Sequence, residues 1–115
     1  MKFLCLVYFE PGALSALSPD EKASLNRDCL AYDEELGRRG NYIVSNALDL
    51  VTTARTVRVR RGKASATDGP FAETKEVLGG FILIEAANMD EAVEIAAEIP
   101  MAKLGSIEVR PILKF

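Results

Sequence analysis

One segment of the sequence gathers residue types that could bind or transform a small molecule. Asp68 is followed by Gly69 and Pro70, and Glu73 and Lys75 come within the next few residues. A carboxylate in a cleft can exchange a proton once burial raises its pKa, and a nearby lysine can position an anionic or carbonyl group. The same residues also suit an Asx-type turn with a solvated loop face. Both interpretations of Asp68, as an acid or base and as a turn residue, stay open at this point.

The residue types that are missing restrict the chemistry further. The chain has 115 residues and no histidine, which excludes Ser-His and Cys-His nucleophile systems. Its two cysteines, Cys5 and Cys29, are far apart in the sequence and form no CxxC pair. Zinc would then have to be held by two distant thiols and carboxylates. We therefore expect no metal site and no cofactor, and we expect both thiols to be free and reduced.

Composition restricts the class of protein and its partners. Hydrophobic residues make up 49% of the chain and charged residues 27%, as in soluble globular proteins, and the length suits one domain covering residues 1–115. A net charge of −3 supplies no strongly basic face, so nucleic acid is not expected as a partner. The apolar run near the N-terminus ends at Glu10 and Pro11, too early for a membrane span or a signal peptide. We expect a cytoplasmic protein with no membrane contact.

The first half of the chain predicts a buried strand and a capped helix. Residues 2–8 are apolar without a polar break, which favours a central strand. Ser18 can cap a helix that has Pro19 at its first position and Glu21 three residues after the cap. An apolar stripe then runs along one face of the helix and consists of Leu25, Cys29, Tyr32 and Leu36. The other face carries Asp33 and further charges. Gly40 is the predicted stop.

The second half predicts strands and a second helix. Extended segments are expected at 42–50, 56–60, 64–67, 77–86 and 106–112, with a tight turn at 61–63 and a loop at 72–76. In the 56–60 segment Val57 and Val59 are expected to face a core, while Arg58 and Arg60 keep an exposed edge soluble. The pair of glycines at 79–80 suggests a bulge or a close approach. The second helix is expected to follow Asn88 and to end at Pro100. The face that it buries consists of Ala92, Ile95, Ala96 and Ile99.

This order of elements predicts an α+β protein of the ferredoxin-like kind, a split β-α-β unit with an inserted hairpin. Both helices should cover one face of an antiparallel sheet, because their apolar stripes have no other surface to bury against. The opposite face would then expose Leu4, Leu6 and Tyr8 of the first strand. We expect a homodimer in which two such faces meet, with Tyr8 serving either the interface or a ligand.

The segment from Asp68 to Phe81 resembles the signature of the DGPF branch of the YCII-related proteins. Its letters are DGPFAETKEVLGGF, and the likeness extends to residues 31–36, 56–58 and 105–111. The resemblance implies a dimeric α/β barrel of ferredoxin-like subunits. Aligned on Leu30 and Gly40, the place of a family histidine falls on Cys29 in this chain. A neutral thiol on the apolar stripe of a helix favours packing over catalysis.

Two functions from different classes follow from these residues and from the resemblance. In the first, the dimer cleft binds a small organic ligand, and a lyase or isomerase without a cofactor uses Asp68 as its acid or base. The expected ligand-binding residues are Tyr8, Gly69, Pro70, Phe71, Glu73 and Lys75. In the second, which the resemblance alone implies, the chain is a ligand-sensing or regulatory module that acts with an extracytoplasmic-function sigma factor.

Overall fold

The computed structural model describes residues 1–115 and contains six strands and three α-helices. In chain order they are β1 (Lys2–Phe9), α1 (Pro11–Ser15), α2 (Pro19–Arg38), β2 (Tyr42–Ala47), β3 (Arg55–Arg60), β4 (Lys63–Asp68), β5 (Val77–Glu85), α3 (Met89–Ala97) and β6 (Gly105–Pro111). Short 3-10 helices span Val51–Thr53 and Pro100–Lys103. No helix is long and apolar enough to cross a membrane.

Four of the strands form one antiparallel sheet in the order β2-β5-β1-β6. β1 lies inside this sheet, paired with β5 on one side and β6 on the other, as its unbroken apolar run predicts. β2 is parallel to β1 with β5 between them, which is the split β-α-β arrangement of ferredoxin-like folds. The mixed α+β class and the inserted hairpin are therefore confirmed.

The core lies between the sheet and the two long helices. Phe3, Cys5 and Val7 point from β1 to this side, where Ile84 of β5 is also fully buried. The predicted stripe of α2 contributes the buried Tyr32 and Leu36, and the predicted face of α3 is buried throughout. The Tyr32 hydroxyl donates a 2.7 Å hydrogen bond to the carbonyl of Ile95, and burial raises the pKa of Tyr32 to about 12. This bond ties α2 to α3.

The helix ends follow the residues that predicted them. Ser18 accepts a hydrogen bond from the Glu21 amide, and the Glu21 carboxylate accepts one from the Ser18 amide, so the capping box is complete. The Asn88 side chain caps α3 by accepting from the Glu91 amide, while the Glu91 carboxylate accepts from the Ala87 amide, so this box is not reciprocal. Gly40 has a φ of 78° directly after the end of α2. The five-residue α1 was not predicted, because a single turn has no room for an apolar period.

The opposite face of the sheet is covered by no element of the chain. Leu4, Leu6 and Tyr8 of β1 lie on it, alternating with the buried residues of the same strand. Phe81 and Leu83, which pair with Leu6 and Leu4, share this side. We call this surface the uncovered sheet face.

One layer of helices on one sheet makes the chain flat. Its extents are 48 × 44 × 19 Å and its radius of gyration is 16.1 Å, where a compact chain of this length has about 13 Å. It exposes 8125 Å², where a compact monomer of 12.5 kDa exposes about 6,200 Å². A single copy thus leaves unusually much surface open.

The hairpin of β3 and β4 corrects one sequence prediction. Its two-residue turn has the positive φ angles of a type I′ turn, 54° at Arg61 and 77° at Gly62, so the turn is confirmed. Val57 and Val59 were expected to face a core, but their side chains are 66% and 60% exposed. The two strands pair only with each other and lie outside the four-stranded sheet. Alternation along β3 therefore marks two sides of a hairpin, neither of which reaches the core.

Gly79 and Gly80 of β5 lie where this strand closely approaches its two neighbours, β1 and β2. The register of β1 against β5 shifts between Val7 and Tyr8, opposite the predicted bulge at Gly79 and Gly80. A Cβ on Gly79 would collide with the Phe9 ring, and one on Gly80 would lie 3.0 Å from a backbone carbonyl oxygen. The glycine pair therefore permits the tight crossing that its sequence suggested.

Candidate functional site

Asp68 is the last residue of β4 and lies in solvent. Its side chain is 90% exposed, and its only charged partner is Arg55 at 3.5 Å. No backbone amide donates to its carboxylate, so the predicted Asx-type bond is absent, while the Gly69 amide donates instead to the carbonyl of Ala54 at 2.8 Å. The Asp68 carboxylate is therefore not buried in a single copy of the chain.

The loop that follows Asp68 is held by β3 and by ion pairs. The Thr56 hydroxyl donates to the Gly69 carbonyl at 2.9 Å, and the Arg58 guanidinium reaches the Phe71 carbonyl at 3.4 Å. Lys75 pairs with Glu10 at 3.4 Å, although its side chain is exposed. Glu73 is exposed and makes no ion pair. These contacts give the loop one position, and they leave its charges in solvent.

Three of the predicted ligand-binding residues come together in one cleft. Tyr8, Pro70 and Phe71 line a space of about 830 Å³ between the root of the hairpin and the end of the sheet, which we call the loop cleft. Asp68, Gly69, Glu73 and Lys75 do not line it. Its polar groups come from residues that sequence reasoning did not select: Asp49, Thr53, Arg55, Thr56, Thr74 and Glu76.

A second cleft, of about 650 Å³, lies on the other side of the sheet, between α2 and the strands β2 and β5. We call it the helix cleft. Its walls are mostly apolar, with Val7 and Ile82 on the floor and Leu25, Leu30 and Met101 among the residues at its sides. Four polar residues are among those that line it: Asn26, Asp33, Ser45 and Asn46. A mostly apolar pocket with a few polar groups is the usual form of a small-molecule site.

Asp33 is the one ionisable carboxylate in the wall of the helix cleft. The Ser45 hydroxyl donates to its Oδ2 atom at 2.9 Å, and the Tyr42 hydroxyl lies 2.9 Å from the same serine oxygen. Because the serine proton is already directed at Asp33, Tyr42 must be the donor in the second bond. A directed chain of hydroxyls from Tyr42 through Ser45 thus orients the carboxylate.

Sequence reasoning assigned Asp33 to the solvent face of α2, and this is wrong. The residue is half-buried because it follows Cys29 by four positions and so lies directly beside the apolar stripe. Its partner Ser45 comes from β2, and no spacing in the sequence joins a helix residue to that strand. The available signal was the i, i+4 relation to Cys29, the position to which the family histidine maps.

Cys29 is half-buried in the wall of the same cleft. Burial raises the pKa of its thiol, and the neighbouring charges of Asp33 and Asp28 raise that pKa further. The thiol therefore stays protonated and is a poor nucleophile, as predicted from its place on the stripe. Cys5 is buried in the core, where desolvation raises its pKa to about 11.

Chemically, the helix cleft combines apolar walls with one oriented carboxylate. Such a group can accept a proton from a bound phenol or carbon acid and return it. No cluster of three or more His, Cys, Asp or Glu side chains that could hold a metal ion is present. The loop cleft is the larger of the two spaces, but its two carboxylates are engaged in other contacts. Glu76 accepts a hydrogen bond from the Ser106 hydroxyl, and Asp49 accepts one from the Leu50 amide.

Known proteins resemble the chain over nearly its whole length. An uncharacterized protein of Rhizobium meliloti is 38% identical over 114 residues, which are 97% of this chain and 92% of the relative. A solved structure of 5-chloro-2-hydroxyhydroquinone dehydrochlorinase from Burkholderia phenoliruptrix, in complex with 2,5-dihydroxybenzoquinone, matches 98% of this chain and 94% of its own. Its TM-score is 0.58 and its identity 22%, a likeness of fold. The model of the YCII-related domain matches residues 1–115, and the chain belongs to that family.

Proposed function

We propose that the chain binds a small hydroxylated organic compound in the helix cleft, and that Asp33 exchanges a proton with it in a lyase or isomerase reaction without a cofactor. The observation that carries this proposal is the Asp33 carboxylate, held by Ser45 in the wall of an otherwise mostly apolar cleft of about 650 Å³. Apolar walls favour a ring or chain of carbon, and the few polar groups favour hydroxyl or carbonyl substituents.

The proton would move between the ligand and the carboxylate oxygen that Ser45 does not occupy. As Asp33 takes up the proton, its negative charge is lost and the Ser45 bond weakens. As the proton leaves, the same bond stabilises the returning charge. The hydroxyl of Tyr42 keeps Ser45 in the donating orientation throughout. This cycle needs no group beyond the side chains of one chain.

The chemistry of a structural relative agrees with this ligand class. The dehydrochlorinase acts, by its name, on a hydroxylated and chlorinated ring, and the molecule in its complex is a dihydroxylated quinone. Removal of hydrogen chloride from such a ring requires a proton to be taken from it. At 22% identity the two proteins share a fold, so the transfer of this chemistry to the present chain is a proposal.

Asp68 is a second proposal for the acid or base, with the ligand in the loop cleft. Tyr8, Pro70 and Phe71 line that cleft together, which favours a site there. The carboxylate of Asp68 lies in solvent and would have to be covered by a second copy of the chain before it could act inside a cleft. The helix cleft needs no such rearrangement, and for this reason we rank Asp33 first.

A homodimer joined through the uncovered sheet face is part of the proposed function. A dry partner surface would remove Leu4, Leu6 and the aromatic side chains beside them from water. The alternative of a regulatory module acting with a sigma factor has no support in the fold or in the relatives.

The experiment compares two substitutions that each keep the shape of the carboxylate, Asp33→Asn and Asp68→Asn. Binding of 2,5-dihydroxybenzoquinone is measured by calorimetry, and chloride release from 5-chloro-2-hydroxyhydroquinone measures turnover. We expect Asp33→Asn to keep binding and to lose turnover by roughly 100- to 10,000-fold, while Asp68→Asn changes neither. Ser45→Ala should lower turnover by a smaller factor, since it loosens the carboxylate without removing it.

The opposite pattern would move the site to the loop cleft. If Asp68→Asn abolishes turnover and Asp33→Asn does not, Asp68 is the acid or base. If wild-type protein neither binds the quinone nor releases chloride, the hydroxylated ring is the wrong ligand class.

A further inference from the structure

The hairpin has one apolar side that nothing in its own chain covers. In the register of β3 and β4, Val57 lies opposite Ala66 and Val59 opposite Ala64, so these four side chains share a side. Every residue of β4 is exposed. A two-stranded hairpin alone is at best marginally stable in water, and it gains stability when one side packs on something. The hairpin is therefore expected to be more stable when its apolar side packs on another surface.

This apolar side is continuous with the uncovered sheet face. Tyr8 and Leu78 belong to the end of that face, and both line the loop cleft together with Val57 of the hairpin. Phe71, whose side chain is 80% exposed, stands at the same cleft. A body seated on the sheet face would thus meet the root of the hairpin without a gap in the apolar surface.

The charge of the hairpin indicates what kind of body that is. Residues 55–68 contain five basic side chains and one acidic one, so they carry +4, while the rest of the chain carries −7 of the total of −3. Of the five basic residues, only Arg55 pairs with a carboxylate in its own chain. Opposite charges on the hairpin and on the rest of the molecule attract one copy to another.

The open surface is large enough for such a partner. One copy exposes about 1,900 Å² more than a compact monomer of its mass, and a standard interface takes about 800 Å² from each partner. The uncovered sheet face and the apolar side of the hairpin together can therefore supply a stable contact between two copies.

We propose that the β3–β4 hairpin is an arm whose apolar side packs on a second copy of the chain. In this position the arm closes the loop cleft of that second copy. The arm rests on the proposed dimer and adds to it a defined contact. Val57 and Val59 would be the buried anchors, and the net positive charge of the hairpin would attract the net negative charge of the partner's body. The loop cleft, open in one copy, would become enclosed in two.

The test changes the polarity of each side of the hairpin with side chains that are β-branched in every variant. Val57→Thr with Val59→Thr adds hydroxyls to the apolar side and keeps β-branching, while Ser65→Val with Thr67→Val removes hydroxyls from the opposite side. Sedimentation equilibrium over a concentration series gives the dimer dissociation constant. We expect the first variant to raise it tenfold or more and the second to leave it within twofold. Wild-type dissociation should also increase with sodium chloride, because the contact joins opposite charges.

The possible failures are distinguishable. A wild-type dimer whose dissociation constant is the same in both variants would refute the arm and keep the sheet-face dimer. A wild-type chain that stays monomeric would refute both, and binding of duplex DNA by that monomer would assign the basic hairpin to nucleic acid. Circular dichroism of each variant in dilute solution checks that the four-stranded sheet remains folded. Urea unfolding gives the free energy of unfolding of each hairpin variant.

Discussion

The four-stranded sheet and the β3–β4 hairpin both contain a strand with alternating apolar residues. The alternation leads to burial in the sheet and not in the hairpin. Along β1, alternation sends Phe3 and Cys5 into a core and leaves Leu4 half-covered. Along β3, alternation is equally regular, yet Val57 and Val59 lie in solvent. The two strands differ in what they pack against. A period of two defines the sides of a strand, and only the neighbouring elements decide which side is buried.

The largest contrast should come from removing one apolar side chain from each region. Ile84 is fully buried, so Ile84→Ala should lower the free energy of unfolding by about 2 to 5 kcal/mol through lost burial and a cavity. Val59→Ala, in the exposed hairpin, should change it by no more than about 0.5 kcal/mol. Urea unfolding of both variants in dilute solution measures the two effects. Equal losses at a concentration where the chain is monomeric would mean that the hairpin packs on its own sheet.

A second pair of variants replaces one glycine in each region. A Cβ on Gly105 would collide with the backbone carbonyl of Tyr8, so Gly105→Ala must push β6 away from β1 and should cost about 1 to 3 kcal/mol. Gly62 has open space around it but a φ of 77°, so Gly62→Ala strains only the turn. Hydrogen exchange should become faster throughout the sheet in the first variant and only in the hairpin in the second.

The smallest contrast concerns single side-chain hydrogen bonds. Ser18→Ala removes the cap of α2 and should cost about 1 kcal/mol. The pKa of Glu21 is lowered by its bonds from the Ser18 backbone and side chain, so this carboxylate stabilises the fold above its unfolded pKa. That stabilisation is lost as the pH falls through the lowered folded pKa.

In Ser18→Ala the side-chain part of this acid dependence should disappear. Urea unfolding at pH 7 and pH 3 measures it. Thr56→Val, which removes the bond to Gly69 in the hairpin, is the matched control and should leave the pH dependence unchanged. The Ser18 amide still donates to Glu21 in this variant, so part of the acid dependence should remain. An acid dependence in Ser18→Ala that equals the wild-type one would show that the Ser18 side chain does not lower the pKa of Glu21.

Local signals predicted the fold well because they belong to single elements. Ser18, Pro19 and Glu21 lie within one turn of helix, and together they are enough to start α2 at the observed residue. The apolar run of β1 was enough to make it a central strand. The exposure of Val57 could not be predicted in the same way, since it depends on where the whole hairpin lies.

The candidate site was predictable only in part, and for the same reason. Tyr8, Pro70 and Phe71 were selected from the sequence and do line one cleft. Asp33 and Ser45 were not selected together, because a helix and a strand bring them within 2.9 Å only after the chain has folded. The identity of Asp68 drew attention to its loop, but it did not tell whether this carboxylate would face a cleft or solvent.

The three tyrosines lie in three separate regions of the molecule, and the chain has no tryptophan. Tyr32 joins the two long helices, Tyr42 is bonded to Ser45 at the helix cleft, and Tyr8 lines the loop cleft. Under excitation that phenylalanine does not absorb, the intrinsic ultraviolet emission of the protein therefore comes from these three rings alone. If a ligand changes that emission in wild type but not in Tyr42→Phe, it occupies the helix cleft, and the same logic with Tyr8→Phe reports on the other space. The protein thus carries its own optical indicator of which side of the sheet is filled.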